Sequence, residues 1–309
     1  MKGIREVLVP VDGSETSSTA VGFAIGLAKY VGAGIVFCHS VDTTGVISGS
    51  ANPYGHLDVE PILEALEKQC AAYLRDAVAR ATAAGVRASA VQLAGAPVGA
   101  ILAFLQDRPT GAIVMGTHGS TGISRFFLGS TAEGLVRRAG TPVFVVPPGA
   151  KTPCSDGSPF GSIEVAFDGS EAAKAALHMA LDLAKPGATK LFVTHAVGPN
   201  PEEREAAEAL ADAAVFRARA AGIAAQALIS EGAPARRVLE LAQSHGAQLI
   251  AIGARGRRGI GRVLLGSVAE AVLRGAFVPV LVVPGASAKL RMDVAPRAAV
   301  SVLALEASA

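Results

Sequence analysis

The chain is poor in cysteine, in charge and in unbroken apolar runs. Cys38, Cys70 and Cys154 are its only cysteines. They have no CxxC spacing, which excludes a disulfide scaffold or zinc ribbon and leaves free thiols in a reducing compartment as the expectation. His, Asp and Glu show no metal-ligand spacing either. Charged residues make up 17% of the 309 positions and hydrophobic ones 50%. The mean hydropathy is +0.42, too high for a disordered chain. With 28 Lys and Arg against 26 Asp and Glu, the net charge is +2, without the basic stripe of a nucleic-acid protein. The longest uncharged stretch, 88–106, is broken by Gln92, Gly95, Pro97 and Gly99, so it is not a clean membrane span of about 20 apolar residues. The first apolar run stops at Asp12, too short for a signal-peptide core. The expected location is therefore the cytoplasm.

Two nucleotide-binding signatures are also missing. No GxxxxGK[ST] occurs. Its nearest approach, PPGAKT at 147–152, has Ala150 where glycine is required. The first strand ends in VDGS rather than in the glycine fingerprint of dinucleotide-binding folds.

What the chain does contain is its own sequence twice. VLVPVDGS at 7–14 matches IEVAFDGS at 163–170, and VFCHSV at 36–41 matches FVTHAV at 192–197, both 156 positions apart. Further on, GVRASAVQLAGAP at 85–97 matches GIAAQALISEGAP at 222–234. IVMGTHG at 113–119 matches IAIGARG at 250–256, and FLGS at 127–130 matches LLGS at 264–267. These matches lie 137 apart. The second copy therefore lacks 19 residues, all between its second strand and the next helix. In the first copy this region is DTTGVISGSANPYGHLDVEP, a Gly-, Ser- and Pro-rich loop of a length usually tied to function or motion.

In each copy short apolar strands alternate with helical patterns. In the first, VLVPV precedes a helix over about 15–32. IVFCHSV follows, then a helix ending near 85, a strand through VRASAVQL and a helix from Pro97. AIVMG, a glycine loop, a helix over 130–139 and PVFVVP complete the copy. Such a pattern argues for a parallel sheet of five strands covered on both faces. The fold class is α/β, in two tandem domains over 1–148 and 161–285. The stretch 147–161, PPGAKTPCSDGSPFG, has linker composition. The tail at 286–309 has no counterpart and reads either as a loose end or as an added strand through VSVLAL. Ligands of such sheets sit beyond the strand carboxyl ends, which directs attention to the residues just after the strands.

After the fourth strand the copies read GTHGSTGISRFFLGS (116–130) and GARGRRGIGRVLLGS (253–267). Both fit Gly, two residues, Gly, nine residues, Gly-Ser. Glycines here permit positive φ and close ligand approach, and exposed N–H groups line anions. The helix that starts at Gly129-Ser130 or Gly266-Ser267 favours phosphate at its N-terminus. The alternative is a tight strand-to-helix turn without a ligand. The second loop is far more basic, with Arg255, Arg257 and Arg258 where the first has His118, Ser120 and Thr121. Charge-assisted contacts to phosphate would make its binding tighter or more salt-sensitive.

The G-2x-G-9x-G-[ST] loop, VPVDGS and TPVFVVP together resemble the universal stress protein family in its tandem form, over most of 1–148 and 161–285. The glycine spacing is that of the family's ATP-binding branch. The resemblance implies two tandem Rossmann-like domains, ATP at the strand ends, pairing of the domains through their last strands, a role in stress survival, and a dimer within or between chains. Carried over, Asp12 and Asp168 stand near the ribose, the phosphates or their Mg2+. Val41 and Val197 meet the adenine through their backbone. Met115 and Ile252 line the base or ribose pocket. Gly116, Gly119, Gly129, Ser130 and Thr131 hold the phosphates in the first copy. Gly253, Arg255, Gly256, Gly266, Ser267 and Val268 do so in the second. Pro10 belongs to the first pocket wall, and its counterpart is Ala166.

Several of these residues have blander readings. Asp12 and Asp168 precede Gly-Ser, which suits an Asx turn or helix cap. His39 and His195 sit in apolar strands and read as satisfied core histidines, since no third group orients either as a base. Cys38 reads as a small core hydrophobe. The run Glu202 to Glu205 reads as a solvated helix start. The expectation is a regulatory protein whose adenine-nucleotide occupancy changes its shape or partners. A slow ATPase ranks below it for want of an acid–base pair, and a nucleotide-free scaffold is opposed by the intact glycine loops.

Overall fold

The computed structural model describes residues 4–43, 60–118, 128–150, 158–256, 265–285 and 305–306. The first half runs β1 (Glu6–Pro10), α1 (Glu15–Val31), β2 (Gly34–Val41), α2 (Glu60–Ala83), β3 (Ala88–Ala94), α3 (Pro97–Asp107), β4 (Ala112–Gly116), α4 (Ser130–Arg138) and β5 (Val143–Val146). The second runs β6 (Ser162–Ala166), α5 (Glu171–Leu183), β7 (Lys190–Val197), α6 (Pro201–Ala220), β8 (Ala224–Glu231), α7 (Pro234–Ser244), β9 (Leu249–Gly253), α8 (Ser267–Gly275) and β10 (Val280–Val283). A short β11 (Leu305–Glu306) comes from the tail. Among the described residues no helix is long and apolar enough to cross a membrane.

Each half is the expected five-stranded parallel sheet, in the order 3-2-1-4-5. The two halves are not separate sheets, however. They fuse into one 11-stranded sheet ordered β11-β3-β2-β1-β4-β5-β10-β9-β6-β7-β8. The join is the antiparallel pair β5–β10, with Val145 opposite Val280, Phe144 opposite Leu281 and Val143 opposite Val282. Residues 143, 144 and 145 correspond to 280, 281 and 282 through the 137-residue repeat. Phe144 therefore faces its own counterpart, and a pseudo-two-fold axis passes between them. The contact has the self-complementary form of a symmetric dimer interface inside one chain. The tail supplies an added strand. Leu305 and Glu306 pair antiparallel with Ala90 and Ser89 on the β3 edge.

The strands are apolar on both faces because helices cover both faces. One core layer, under α1, α2, α5 and α6, contains Val7, Val9, Ile35, Phe37, Phe144, Ile163 and Val165. The other, under α3, α4, α7 and α8, contains Leu8, Val36, Cys38, Val143, Val145, Val280 and Val282. Both layers run unbroken across the join. Phe144 stacks against Phe23 with ring centroids 5.7 Å apart. Cys38 and Cys70 are buried free thiols. Burial pushes Cys38 well above the usual thiol range and Cys70 up to about 11. Cys154 lies outside the described residues.

One core position breaks the repeat. Leu8 corresponds to Glu164, which is fully buried on β6. Its register neighbours are Phe192 and Ile250. Thr194, where the first half has Cys38, donates its hydroxyl hydrogen to Glu164 Oε1. Oε2 has no hydrogen-bond partner among the described residues. Burial raises the carboxyl to about pH 7, against the opposing Thr194 bond.

Two consequences are measurable. Phe144→Ala should lower stability by about 3–5 kcal/mol in denaturant unfolding, the usual cost of emptying a packed aromatic site; a loss under about 1 kcal/mol would mean the join is not a packed core. For Glu164, the unfolded group loses its proton near pH 4.5 and the folded one near pH 7, so folding binds extra protons in that window and stability falls as pH rises through it. At about 1.4 kcal/mol per pH unit the penalty approaches about 3 kcal/mol above pH 7. Glu164→Gln should abolish that slope, making the variant progressively more stable than the parent between pH 4.5 and 7. Parallel profiles from urea unfolding at pH 5 and 7.5 would refute this.

Candidate functional site

The strand order reverses between β1 and β4, which pair side by side through Val7–Ala112 and Leu8–Ile113. Their crossover helices leave to opposite faces, so a crevice opens beyond their carboxyl ends. The equivalent place in the second half lies beyond β6 and β9.

In the first half the chain leaves β1 through Asp12-Gly13-Ser14. The Ser14 N–H donates to Asp12 Oδ1 at 3.0 Å, an Asx turn. Ser14 then caps α1, its Oγ accepting from the Ser17 N–H at 3.1 Å. Gly13 has φ +77°, and a Cβ there would meet the Tyr73 ring of α2 at 2.3 Å. The turn is thus held from below by its own carboxylate and from above by an aromatic lid. The second half repeats it. The Ser170 N–H donates to Asp168 Oδ1 at 2.9 Å, Ser170 caps α5 through the Ala173 N–H, and Leu210 of α6 packs on Gly169. Both aspartates form the expected Asx turn, and the helix caps are the serines that follow. Each carboxylate stands just after the end of the first strand of its half, at the point where the strand order reverses.

The glycine loop leaves β4 at Thr117 and returns at Gly129, whose N–H donates to the Thr117 carbonyl at 2.7 Å. Gly266 and Ala254 make the same bond at 2.8 Å. Between these anchors residues 119–127 and 257–264 lie outside the described residues. This includes Gly119, Arg257 and Arg258. Gly129 and Gly266 are the N-caps of α4 and α8, without a side-chain cap bond. The first turn of each helix thus presents N–H groups that no capping side chain satisfies. Ser130 and Ser267 are exposed there, and Thr131 and Val268 are half-buried.

The described loop glycines lack the positive φ expected of them. Gly116, Gly129, Gly253, Gly256 and Gly266 do not have positive φ. A Cβ on Gly116 would meet the Thr16 backbone at 3.0 Å, and one on Gly253 the Ala172 backbone at 2.7 Å. Both glycines let the start of the first helix of each half lie directly against the fourth strand. A Cβ on Gly256 would meet Asp168 Oδ2 at 2.8 Å, so the loop backbone runs against the aspartate.

Side chains tie the two rims together. The Thr16 hydroxyl donates to the His118 carbonyl at 2.6 Å. In the second half Ala172 replaces Thr16, and the tie passes to the Ser170 hydroxyl, which donates to the Arg255 carbonyl at 3.2 Å. Thr16, Tyr73 and Leu210 were not among the sequence candidates. Only the DGS-plus-helix pattern hinted at the first, and nothing local pointed to the other two.

The remaining candidates are placed as follows. Met115 and Ile252 are nearly covered, at 5% and 4% exposed, and belong to the α3/α4/α7/α8 core layer. Pro10 and Ala166 are half-buried at the ends of β1 and β6. The Val41 and Val197 carbonyls accept from the N–H groups of Gly95 and Gly232, at 2.9 and 3.2 Å. His39 Nδ1 lies 2.6 Å from the Val11 carbonyl, which makes it a satisfied structural histidine. Arg204 pairs with Glu231 at 2.7 Å beside the end of β7, where the first half has Ala94. The Gly-rich insertion after β2 falls on 44–59, outside the described residues. Among those described, no three His, Cys, Asp or Glu side chains group as a metal site. One carboxylate per crevice is a donor set that suits Mg2+ arriving on phosphate oxygens rather than an ion caged by protein alone.

The model of the universal stress protein family matches the chain twice, over residues 3–147 and 159–284. A universal stress protein of Mycobacterium tuberculosis is 33% identical over 183 residues, an alignment covering 55% of this chain and 60% of that protein's length. One of Mycolicibacterium smegmatis is 29% identical over 295 residues, 90% of this chain and 96% of that protein. The crystal structure of a universal stress protein from Archaeoglobus fulgidus superposes with a TM-score of 0.71 at 25% identity, over 90% of this chain and 98% of that one. With both repeats matched across most of its length, the chain belongs to the universal stress protein family.

Proposed function

We propose that this chain is a tandem adenine-nucleotide-binding regulatory protein of the stress response, with one ATP site beyond β1 and β4 and a second beyond β6 and β9. The observation that carries the reading is the twofold recurrence of one arrangement. In each half an Asx-turn carboxylate after the first strand accompanies a helix after the fourth strand whose first N–H groups have no side-chain cap, and in the second half the Gly256 backbone runs against Asp168. Free N–H groups and the helix dipole suit phosphate oxygens. The carboxylate suits a ribose hydroxyl or a phosphate-borne Mg2+. Asp12 serves the first site with Gly116, Gly129 and Ser130. Asp168 serves the second with Gly253, Arg255, Gly256, Gly266 and Ser267.

The two sites differ in charge. Arg255 stands where His118 stands, and Arg257 and Arg258 stand where the first half has Ser120 and Thr121. Occupancy regulates only so far as ATP binds one conformation better than another. The natural candidate for that difference is the insertion after β2, which the second half lacks.

Two titrations test the reading. Gly266→Ala adds a methyl whose nearest neighbour is 3.4 Å away, at a φ of −66° that alanine accepts. Its folding stability should stay within about 1 kcal/mol of the parent, while calorimetry with Mg-ATP shows the second site weakened. Unchanged affinity would make the helix start a structural turn only. Arg255→Ala with Arg257→Ala should weaken the second site about tenfold, equivalent to about 1.4 kcal/mol, and should flatten its salt dependence. Equal affinity and salt slope before and after would remove the charge asymmetry from the account.

A further inference from the structure

At the opposite end of the sheet from both crevices, the pseudo-symmetry fails at one place. A cavity of about 200 Å3 opens between the halves, lined by Ile4, Val31, Gly111, Pro142, Met179, Asp182 and Leu183. Ile4 precedes β1, whereas Met179, Asp182 and Leu183 come from α5 of the other half. The 156-residue offset carries Ile4 to Phe160 and Met179 to Phe23. At that equivalent place the space is filled. Phe160 is fully buried. Its ring centroid lies 6.4 Å from Phe23 and 6.2 Å from Tyr30, the latter edge-on.

The same architecture is thus closed on one side by a benzyl group and left open on the other, where Ile4 replaces it. A dry apolar cavity of about 150 Å3 already accepts a benzene-sized guest. The open side also carries a charge that the closed side lacks. Asp182, exposed at the rim, occupies the position of Gly26. The carbonyl of Leu183 is already used by the Tyr30 hydroxyl, which donates to it at 2.9 Å. Asp182 is the carboxylate at the mouth.

We infer that this cavity is a binding site for a small aromatic amine. The ring takes the place that Phe160 fills on the other side, and the ammonium meets Asp182. Such a ligand would bridge the two halves, because Ile4 and Pro142 belong to one and Met179 and Leu183 to the other. The site is separate from the nucleotide crevices, which lie at the other ends of the strands.

The test uses phenethylamine and, as a neutral ring of similar size, benzyl alcohol. Both are titrated into the full chain by calorimetry and by heteronuclear NMR. Saturable binding of both is expected, with shifts centred on Met179 and Leu183. Ile4→Phe installs the residue of the closed side and should abolish binding of both probes. Met179→Phe gives an independent block should Ile4→Phe fail to fold. Asp182→Asn should weaken phenethylamine about two- to fivefold, the range of an exposed ion pair, and leave benzyl alcohol unchanged. No saturable binding of either probe to the parent chain would overturn the proposal. So would equal binding by a folded Ile4→Phe or Met179→Phe variant. Equal losses for both probes in Asp182→Asn would overturn the amine assignment.

Discussion

The antiparallel pairing of β5 with β10 is the constraint on which the rest depends. A five-stranded parallel unit ends in a Val-rich strand whose outer edge would otherwise present unpaired N–H and C=O groups. Here the edge of one copy covers the edge of the other. Because equivalent residues meet at Phe144 and Leu281, the pairing imposes a two-fold relation on everything attached to it. Both core layers become continuous, and the two reversal points of strand order fall symmetrically on either side of the join. On the face of α4 and α8, Arg137 pairs with Glu133 of its own helix and reaches Glu270 of the other half at 4.0 Å. The helices that begin at the two proposed phosphate sites are thereby neighbours.

Duplication then frees each copy to depart from the other. The departures occur in all three settings: core, crevice and join. In the core, Glu164 stands for Leu8 and carries a desolvation penalty that Thr194 only partly offsets. In the crevice, Arg255 stands for His118, and the tie between the rims moves from the Thr16 hydroxyl to that of Ser170. At the join, Ile4 stands for Phe160 and opens a cavity. Each departure alters chemistry while the backbone topology stays the same, because the strand register and the helix caps at Ser14 and Ser170 are kept.

Much of this was legible before any coordinates. The repeat offsets revealed two copies of one unit, and the alternation of short apolar runs with helices identified a parallel sheet. The turn after Asp12 announced itself through Asp-Gly-Ser. What stayed hidden was tertiary. The need for glycine at 116 and 253 comes from the Thr16 and Ala172 backbones, far away in sequence, which local reasoning about φ does not reach. Tyr73 covers Gly13 from a helix sixty positions on, and no local pattern marks it. The tail was undecided between a loose end and a strand because its partner, β3, lies on an edge that sequence alone does not reveal. The size of Ile4 matters only against Phe160 across the two-fold axis, a comparison that needs the fold.

The central claim is that both strand-end crevices are adenine-nucleotide sites. The most direct measurement is the number of nucleotides held per chain, obtained by native mass spectrometry of freshly purified protein and by chromatography of what it releases on denaturation. Two adenine nucleotides per chain, exchangeable with added ATP, is the result the account predicts. A chain that carries none and takes up none at millimolar ATP would contradict it, and would reduce both glycine loops to turns that serve the fold alone.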